Sequence, residues 1–179
     1  MSELIPIKYA HYTYLADAED INASVAAGFE QYKDAGDTKK THLFEGRYEN
    51  VYIERALIPA LEPVIERAIK SVASILEIDA DKLQCGFWFN SMQPGQVTIA
   101  HTHDDDDELM SGVYYIEVPE NSGNLLLGVG ANQACVEPEA GKMVFFSPAL
   151  IHQVTENKSD QHRLSIGMNF GLKAEFKIE

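Results

Sequence analysis

The sequence predicts a mostly β protein with N-terminal helices: a double-stranded β-helix, or jelly roll, braced by two helices. Three observations carry this. Helical periodicity is confined to the first 80 residues. From Leu83 onward, eight short strand-like runs follow one another within roughly 90 residues, separated by turn residues. No helical pattern interrupts them, which suits a double-sheet jelly roll. The 179 residues suit one domain, 1–179, with residues 1–80 as helical support and 81–179 as the jelly-roll core.

In chain order, the first helix is expected at about Asp20 to Asp34, where Ile21, Val25, Ala26 and Phe29 fall at helical spacing. The second is "PALEPVIERAIKSVASILEI". Its Leu61, Val64, Ile65, Ala68, Ile69, Val72, Ile75 and Leu76 form one wide apolar stripe, opposite Glu62, Glu66, Lys70 and Ser74. Pro59 and Pro63 belong in or near its first turn, where a missing N–H costs little. A helix with one greasy stripe must cover something, and a sheet is the obvious partner. Strands are expected at about 83–91, 95–101, 110–118, 123–128, 133–137, 142–147, 151–155 and 162–172. "QPG" (93–95), "PENSG" (119–123), "EPEAG" (137–141) and "ENKSD" (156–160) supply turns between them. The first 50 residues carry no interpretable motif; Tyr12, Tyr14 and His42 are open between lining a pocket and simple packing.

The formal net charge is −14, from 28 acidic and 14 basic residues. Such a surface repels phosphate backbones and anionic lipid, so neither nucleic acid nor membrane is an expected partner. No apolar run approaches the roughly 20 residues of a membrane helix. The N-terminus lacks the basic start and apolar core of a signal peptide. Cys85 and Cys135 are too few for a disulfide framework and sit in no CxxC motif. They read as small core hydrophobes in a cytoplasmic protein.

The stretch "AHTHDDDDELMSGVYYI" (100–116) carries the chemistry. His101 and His103 are two apart on a predicted strand end, and side chains at i and i+2 share a face. Both imidazoles can reach one ion. His152, which follows the apolar "MVFF" and begins the next strand, is the expected third ligand. Asp104 to Asp107 read first as a solvated turn, but His103-x-Asp105 is a second two-apart pair, and a carboxylate is a standard iron ligand. Eleven residues after His152 comes Arg163, and Arg163 with Ser165 again faces one side. A guanidinium fork beside a hydroxyl is a good carboxylate receptor. Among Leu164, Ile166 and Met168, that arginine would be costly to bury without an anionic partner, either a ligand or an internal Asp or Glu.

These residues resemble the iron(II)- and 2-oxoglutarate-dependent oxygenases, whose signature is H-x-D/E, a distal His, then Arg about ten residues on, followed by x-Ser. More closely, they resemble a small subfamily of 2-oxoglutarate–iron(II) oxygenases with the pattern W-x-N, P-G, H-x-H, S-G-V-Y-Y, then F-x-P…H…R-x-S…N-F. Here these are Trp88-Phe89-Asn90, Pro94-Gly95, His101-Thr102-His103, Ser111-Gly112-Val113-Tyr114-Tyr115, Phe146-Ser147-Pro148, His152, Arg163-Leu164-Ser165 and Asn169-Phe170. The likeness covers about residues 83–172. It implies a dioxygenase that uses Fe2+, 2-oxoglutarate as cosubstrate and O2, and hydroxylates a small-molecule or side-chain substrate while 2-oxoglutarate becomes succinate. His101 and His152 would be iron ligands. Arg163 would bind the far carboxylate of 2-oxoglutarate, with Ser165 and Tyr115 beside it and Asn90 facing the cosubstrate. His103 occupies the usual carboxylate position, so the frame is either His101/His103/His152 or His103/Asp105/His152; the subfamily's H-x-H favours the first. The acidic run 104–110 beside the mouth would favour a cationic or neutral substrate.

A cupin-like pattern, G-x5-H-x-H-x3–4-E-x6-G, also fits Gly95, His101, His103 and Glu108, but its closing glycine comes too early, at Gly112. That alternative keeps the jelly roll and the metal, makes Glu108 a ligand, and implies an isomerase, a 2-oxoglutarate-independent dioxygenase or a small-molecule binding module. It gives Arg163 no task. A third reading is a metal-free interaction domain with surface histidines.

Overall fold

The computed structural model describes residues 3–36, 38–44, 47–103 and 107–177, with no side-chain detail for residues 44 and 47. In chain order the strands and helices are β1 (Ile5–Ile7), β2 (Ala10–Tyr14), α1 (Ala18–Tyr32), β3 (Lys39–Phe44), β4 (Arg47–Tyr52), α2 (Leu61–Leu76), β5 (Leu83–Met92), β6 (Thr98–His101), β7 (Met110–Glu117), β8 (Leu125–Leu127), β9 (Ala134–Val136), β10 (Lys142–Phe146), β11 (His152–Val154) and β12 (Arg163–Leu172). They form a large antiparallel sheet, β1-β2-β10-β7-β12-β5-β4-β3, facing a small one, β6-β11-β8-β9. This is the jelly-roll arrangement predicted, and all eight expected strands of residues 83–172 are present.

Two apolar layers hold it together. The first lies between the helices and the outer face of the large sheet. Val25, Leu61, Val64, Ile65, Ala68 and Val72 are fully buried against Phe89, Tyr114, Phe145, Ile166, Met168 and Phe170. Each of these Val, Leu and Ile side chains contributes about 1.5–3 kcal/mol of burial. The second layer fills the interior between the sheets: Tyr115, Leu125, Leu127, Val136, Val144 and Phe146. α2 ends where Glu77 turns left-handed (φ 56°) and Ile78 N–H closes back on the Ala73 carbonyl at 3.0 Å. α1 begins at Ala18, two residues before the expected start, with Glu19 and Asp20 in its first turn, where the helix dipole favours acids.

The N-terminal region is richer than its helical pattern suggests. β1 and β2 extend one edge of the large sheet through the β2–β10 pairing, and β3 and β4 extend the other. They escaped the sequence reading because β1 and β3 are edge strands and β2 and β4, next to them, are short and lightly buried. β1 contains Pro6, tolerated only where a ladder hydrogen bond is dispensable. Among the described side chains of β3 and β4 only Val51 is buried, so no clean alternation shows. The two cysteines are free, but only Cys85 packs against the core; Cys135 is exposed on the outermost strand β9, contrary to expectation. No helix among the described residues is long and apolar enough to cross a membrane.

Candidate metal centre

β6 ends at His101, and β11 begins at His152 directly opposite it in the antiparallel register. Cross-strand partners have their Cβ atoms about 4.5–5.5 Å apart, so pairing alone brings the two imidazoles together, with ring centroids 4.2 Å apart. His103 lies two residues past the strand end and is fixed by its backbone N–H donating to the Pro148 carbonyl at 2.9 Å. Its ring sits 4.9 Å from that of His101 and 5.1 Å from that of His152. One ligand atom from each of the three lies within 4.8 Å of the others.

The protonation pattern suits a cation. His101 Nδ1 donates to the Ile99 carbonyl at 2.8 Å, and His152 Nδ1 to the Leu150 carbonyl at 2.9 Å. A carbonyl can only accept, so each Nδ1 carries a proton and Nε2 is the nitrogen turned toward a ligand. Burial pushes His152 down to about 4, against the opposing Leu150 hydrogen bond and aided by repulsion from the other two rings. Burial likewise pushes His103 down to about 4, aided by repulsion from His101 and His42. Both are neutral at pH 7, the form that ligates metal. Asp105 of the alternative frame lies outside the described residues. Glu108, the extra ligand of the cupin-like pattern, instead accepts a hydrogen bond from Asn169 Nδ2 at 3.0 Å and is not part of the converging group.

The cluster opens into a cavity of about 490 Å³, a usual size for a small-molecule site. Arg163, Ser165, Gly167 and Asn169 line it along β12, while Leu164, Ile166 and Phe170 belong to the helix-side core and Met168 touches both. Arg163 is 1% exposed. Its Nη1 donates to the carbonyls of Gly123 (2.8 Å) and Ser122 (3.4 Å), and its guanidinium carbon lies 5.0 Å from the centre of the Tyr115 ring. Among the described residues it meets no carboxylate, so the internal salt bridge is absent. Gly123 packs against the Thr155 backbone because it has no Cβ: one built there would lie 2.2 Å from the Thr155 carbonyl oxygen, at φ +91°.

Ser165 stands between Asn90 of β5 and Tyr115 of β7 in the ladder. Arg163 Nε, the Tyr115 hydroxyl and Asn90 Oδ1 are buried and lack hydrogen-bond partners. Three orphaned polar atoms in one cavity wall are costly unless a ligand satisfies them. Burial pushes the Tyr115 phenol up, against the pull of the Arg163 charge, so it stays a neutral donor.

Asn22 is a contributor the sequence reading missed. A polar residue on the buried stripe of α1, it donates through Nδ2 to the carbonyls of Tyr115 (3.4 Å) and Ile116 (3.1 Å) and accepts from the Tyr114 hydroxyl. These carbonyls lie where the β7–β12 register slips, so Asn22 fastens the irregularity that sets Tyr115. The only hint was polarity on an apolar face. Trp88 lines the cavity 5.7 Å from the His103 ring. Its indole occupies the space over Gly167, where a Cβ would lie 2.4 Å from Cε2. His42 also lines this cavity, whereas Tyr12 and Tyr14 line a separate, smaller depression beside Lys142.

No family model matches the chain, and no curated protein matches it in sequence. Solved structures do match in shape. A prolyl-4-hydroxylase from Pseudomonas putida superposes with a TM-score of 0.73 at 19% identity, over 92% of this chain and 93% of that one. The epimerase SnoN from nogalamycin biosynthesis, solved with Fe3+ and α-ketoglutarate, gives 0.71 at 11% identity over 92% and 79%. The viral collagen prolyl hydroxylase of Paramecium bursaria Chlorella virus-1, solved with 2-oxoglutarate, gives 0.63 at 15% over 93% and 97%. The chain therefore has the double-stranded β-helix fold of the 2-oxoglutarate–iron(II) oxygenases.

Proposed function

We propose that the protein is a non-haem Fe2+- and 2-oxoglutarate-dependent dioxygenase that hydroxylates a small molecule or side chain. The observation that carries this is a buried arginine without a carboxylate partner in the same cavity as three converging imidazoles. His101, His103 and His152 would hold the iron: two present fixed tautomers, and His103 and His152 are held neutral by burial. Arg163 would grip the far carboxylate of 2-oxoglutarate. Ser165 and the neutral Tyr115 hydroxyl would donate to it, and Asn90 would face the cosubstrate from β5. Iron and 2-oxoglutarate together supply activation of O2 coupled to the oxidation of 2-oxoglutarate to succinate. The chain's share is to orient the diacid, keep water out with Leu125, Phe146 and Val154, and leave the Trp88 side of the cavity for substrate. The cupin-like alternative stays second because Glu108 is committed to Asn169 and Arg163 would have no task.

The test is anaerobic titration of iron-loaded protein with 2-oxoglutarate, followed by its visible charge-transfer absorption and, in air, by succinate release. Wild type should show both. Arg163→Ala should retain iron but lose the 2-oxoglutarate signal, and His152→Ala should lose iron. Iron-loaded wild type that ignores 2-oxoglutarate overturns the proposal.

A further inference from the structure

The mouth of the cavity has a polar array that the cosubstrate reading leaves unused. Ser111 Oγ donates to Asn169 Oδ1 at 3.0 Å, and Asn169 Nδ2 donates to Glu108 Oε1 at 3.0 Å. The relay fixes the carboxylate and leaves its buried Oε2 without a partner. All three residues line the cavity. Asn169 is six residues from Arg163 on the same strand, on the order of 20 Å away, so the guanidinium does not serve this oxygen. Among the described lining residues Arg163 is the one permanent cation, whereas Glu108 is acidic and has an unpartnered oxygen. The cavity is thus polarised: a cationic floor at Arg163 and an anionic mouth. The net charge of −14 adds long-range attraction for a positive solute.

We infer that Glu108 receives a cationic nitrogen of the prime substrate, an amine or guanidine, with Asn169 and Ser111 holding the carboxylate in place. This rests on the oxygenase reading, which assigns the floor of the cavity to 2-oxoglutarate. An orphaned carboxylate oxygen is satisfied only by a donor, and a charged donor gives the stronger hydrogen bond. Glu108 is therefore a specificity residue: it selects the substrate and takes no part in holding iron or 2-oxoglutarate.

Trp88, the one tryptophan of the chain, lines the same cavity and reports on its contents. The experiment uses zinc-loaded protein saturated with 2-oxoglutarate, whose binding is verified first by thermal shift. n-Butylammonium and n-butylguanidinium are titrated against their neutral counterparts, n-butanol and n-butylurea, and Trp88 emission is followed. Both cations should bind about tenfold or more tightly than their counterparts. Glu108→Gln, which preserves the acceptor for Asn169, should erase that preference while 2-oxoglutarate affinity stays within about twofold. Equal binding of cation and neutral probe, no saturable cation binding, or a preference that survives Glu108→Gln overturns the inference. Failure of 2-oxoglutarate to bind at the first step overturns the oxygenase reading instead.

Discussion

Replacing Gly167 with alanine probes the packing beside the metal centre with a single methyl group. The backbone at Gly167 is ordinary strand, so alanine meets no conformational penalty and gains roughly 0.5–1 kcal/mol from lower unfolded-state entropy. Against this, the new Cβ would sit 2.4 Å from Trp88 Cε2 and 2.5 Å from Cζ2. Ordinary contact begins near 3.4 Å, so the indole must retreat by about 1 Å or swing away. Overpacking of this kind costs about 1–3 kcal/mol, leaving a net loss of about 0.5–2 kcal/mol, or roughly 1–8 °C in melting temperature for a chain of this length. The local effect is sharper. Trp88 is the sole tryptophan, and its ring abuts His103 at 5.7 Å, so the variant should shift the emission maximum and weaken zinc or iron binding. Gly86→Ala is the control, because its Cβ would only touch the Asn169 carbonyl at 3.9 Å. Unchanged emission and unchanged metal affinity in the Gly167 variant would refute the reasoning.

Three further outcomes are expected. Arg163→Met removes a buried unpaired charge but also the donor to the Gly123 and Ser122 carbonyls. The lost bonds, on the order of 1–3 kcal/mol, are offset by relief of charge burial, so the metal-free variant should melt within a few degrees of wild type or above it, yet gain nothing from added 2-oxoglutarate; a collapse of stability would contradict this. Metal-free protein should lose stability as pH falls from about 6.5 toward 4. His103 and His152 are both held down to about 4, so the unfolded chain takes up protons first, a loss on the order of 3 kcal/mol for His152 and less for the partly exposed His103, where solvent screens the charge. Urea unfolding across that range checks it, and a His103→Asn/His152→Asn double variant should flatten the slope. Asn22→Ala takes the amide donor from the Ile116 carbonyl and the acceptor from the buried Tyr114 hydroxyl, while the Tyr115 carbonyl keeps the Gly141 N–H; it should cost about 2–4 kcal/mol, read as a melting temperature roughly 5–15 °C lower.

The sequence revealed the parts of the molecule that obey a period. α2 is legible because its stripe is wide and unbroken, and residues 83–172 because buried runs alternate with Gly- and Pro-bearing turns. The candidate site is legible for a related reason. His101 and His103, like Arg163 and Ser165, are two-apart pairs, and strand geometry converts that spacing into a common face. What stayed hidden depends on contacts between distant segments. β1 and β3 are the edge strands of the large sheet and β2 and β4 lie next to them, all with too little burial to pattern them. Cys135 looked like a core residue within a strand, but β9 is the outermost strand, and only the sheet order reveals that. The in-register pairing of His101 with His152, the hydrogen bond from Asn169 to Glu108 and the reach of Asn22 into a bulge are all settled by tertiary arrangement, which no local spacing encodes.

Asn22 has a consequence beyond its own hydrogen bonds. It rides on a helix whose other inward residues are greasy, yet its amide grasps the backbone of the strand that carries Tyr115. The seating of α1 and the set of the phenol beside the guanidinium are thus two readings of one mechanical joint. Anything that steadies one must steady the other to the same degree, so ligation deep in the barrel would be felt as slower backbone-amide exchange on the far side of the sheet, in a helix that never touches the ligand.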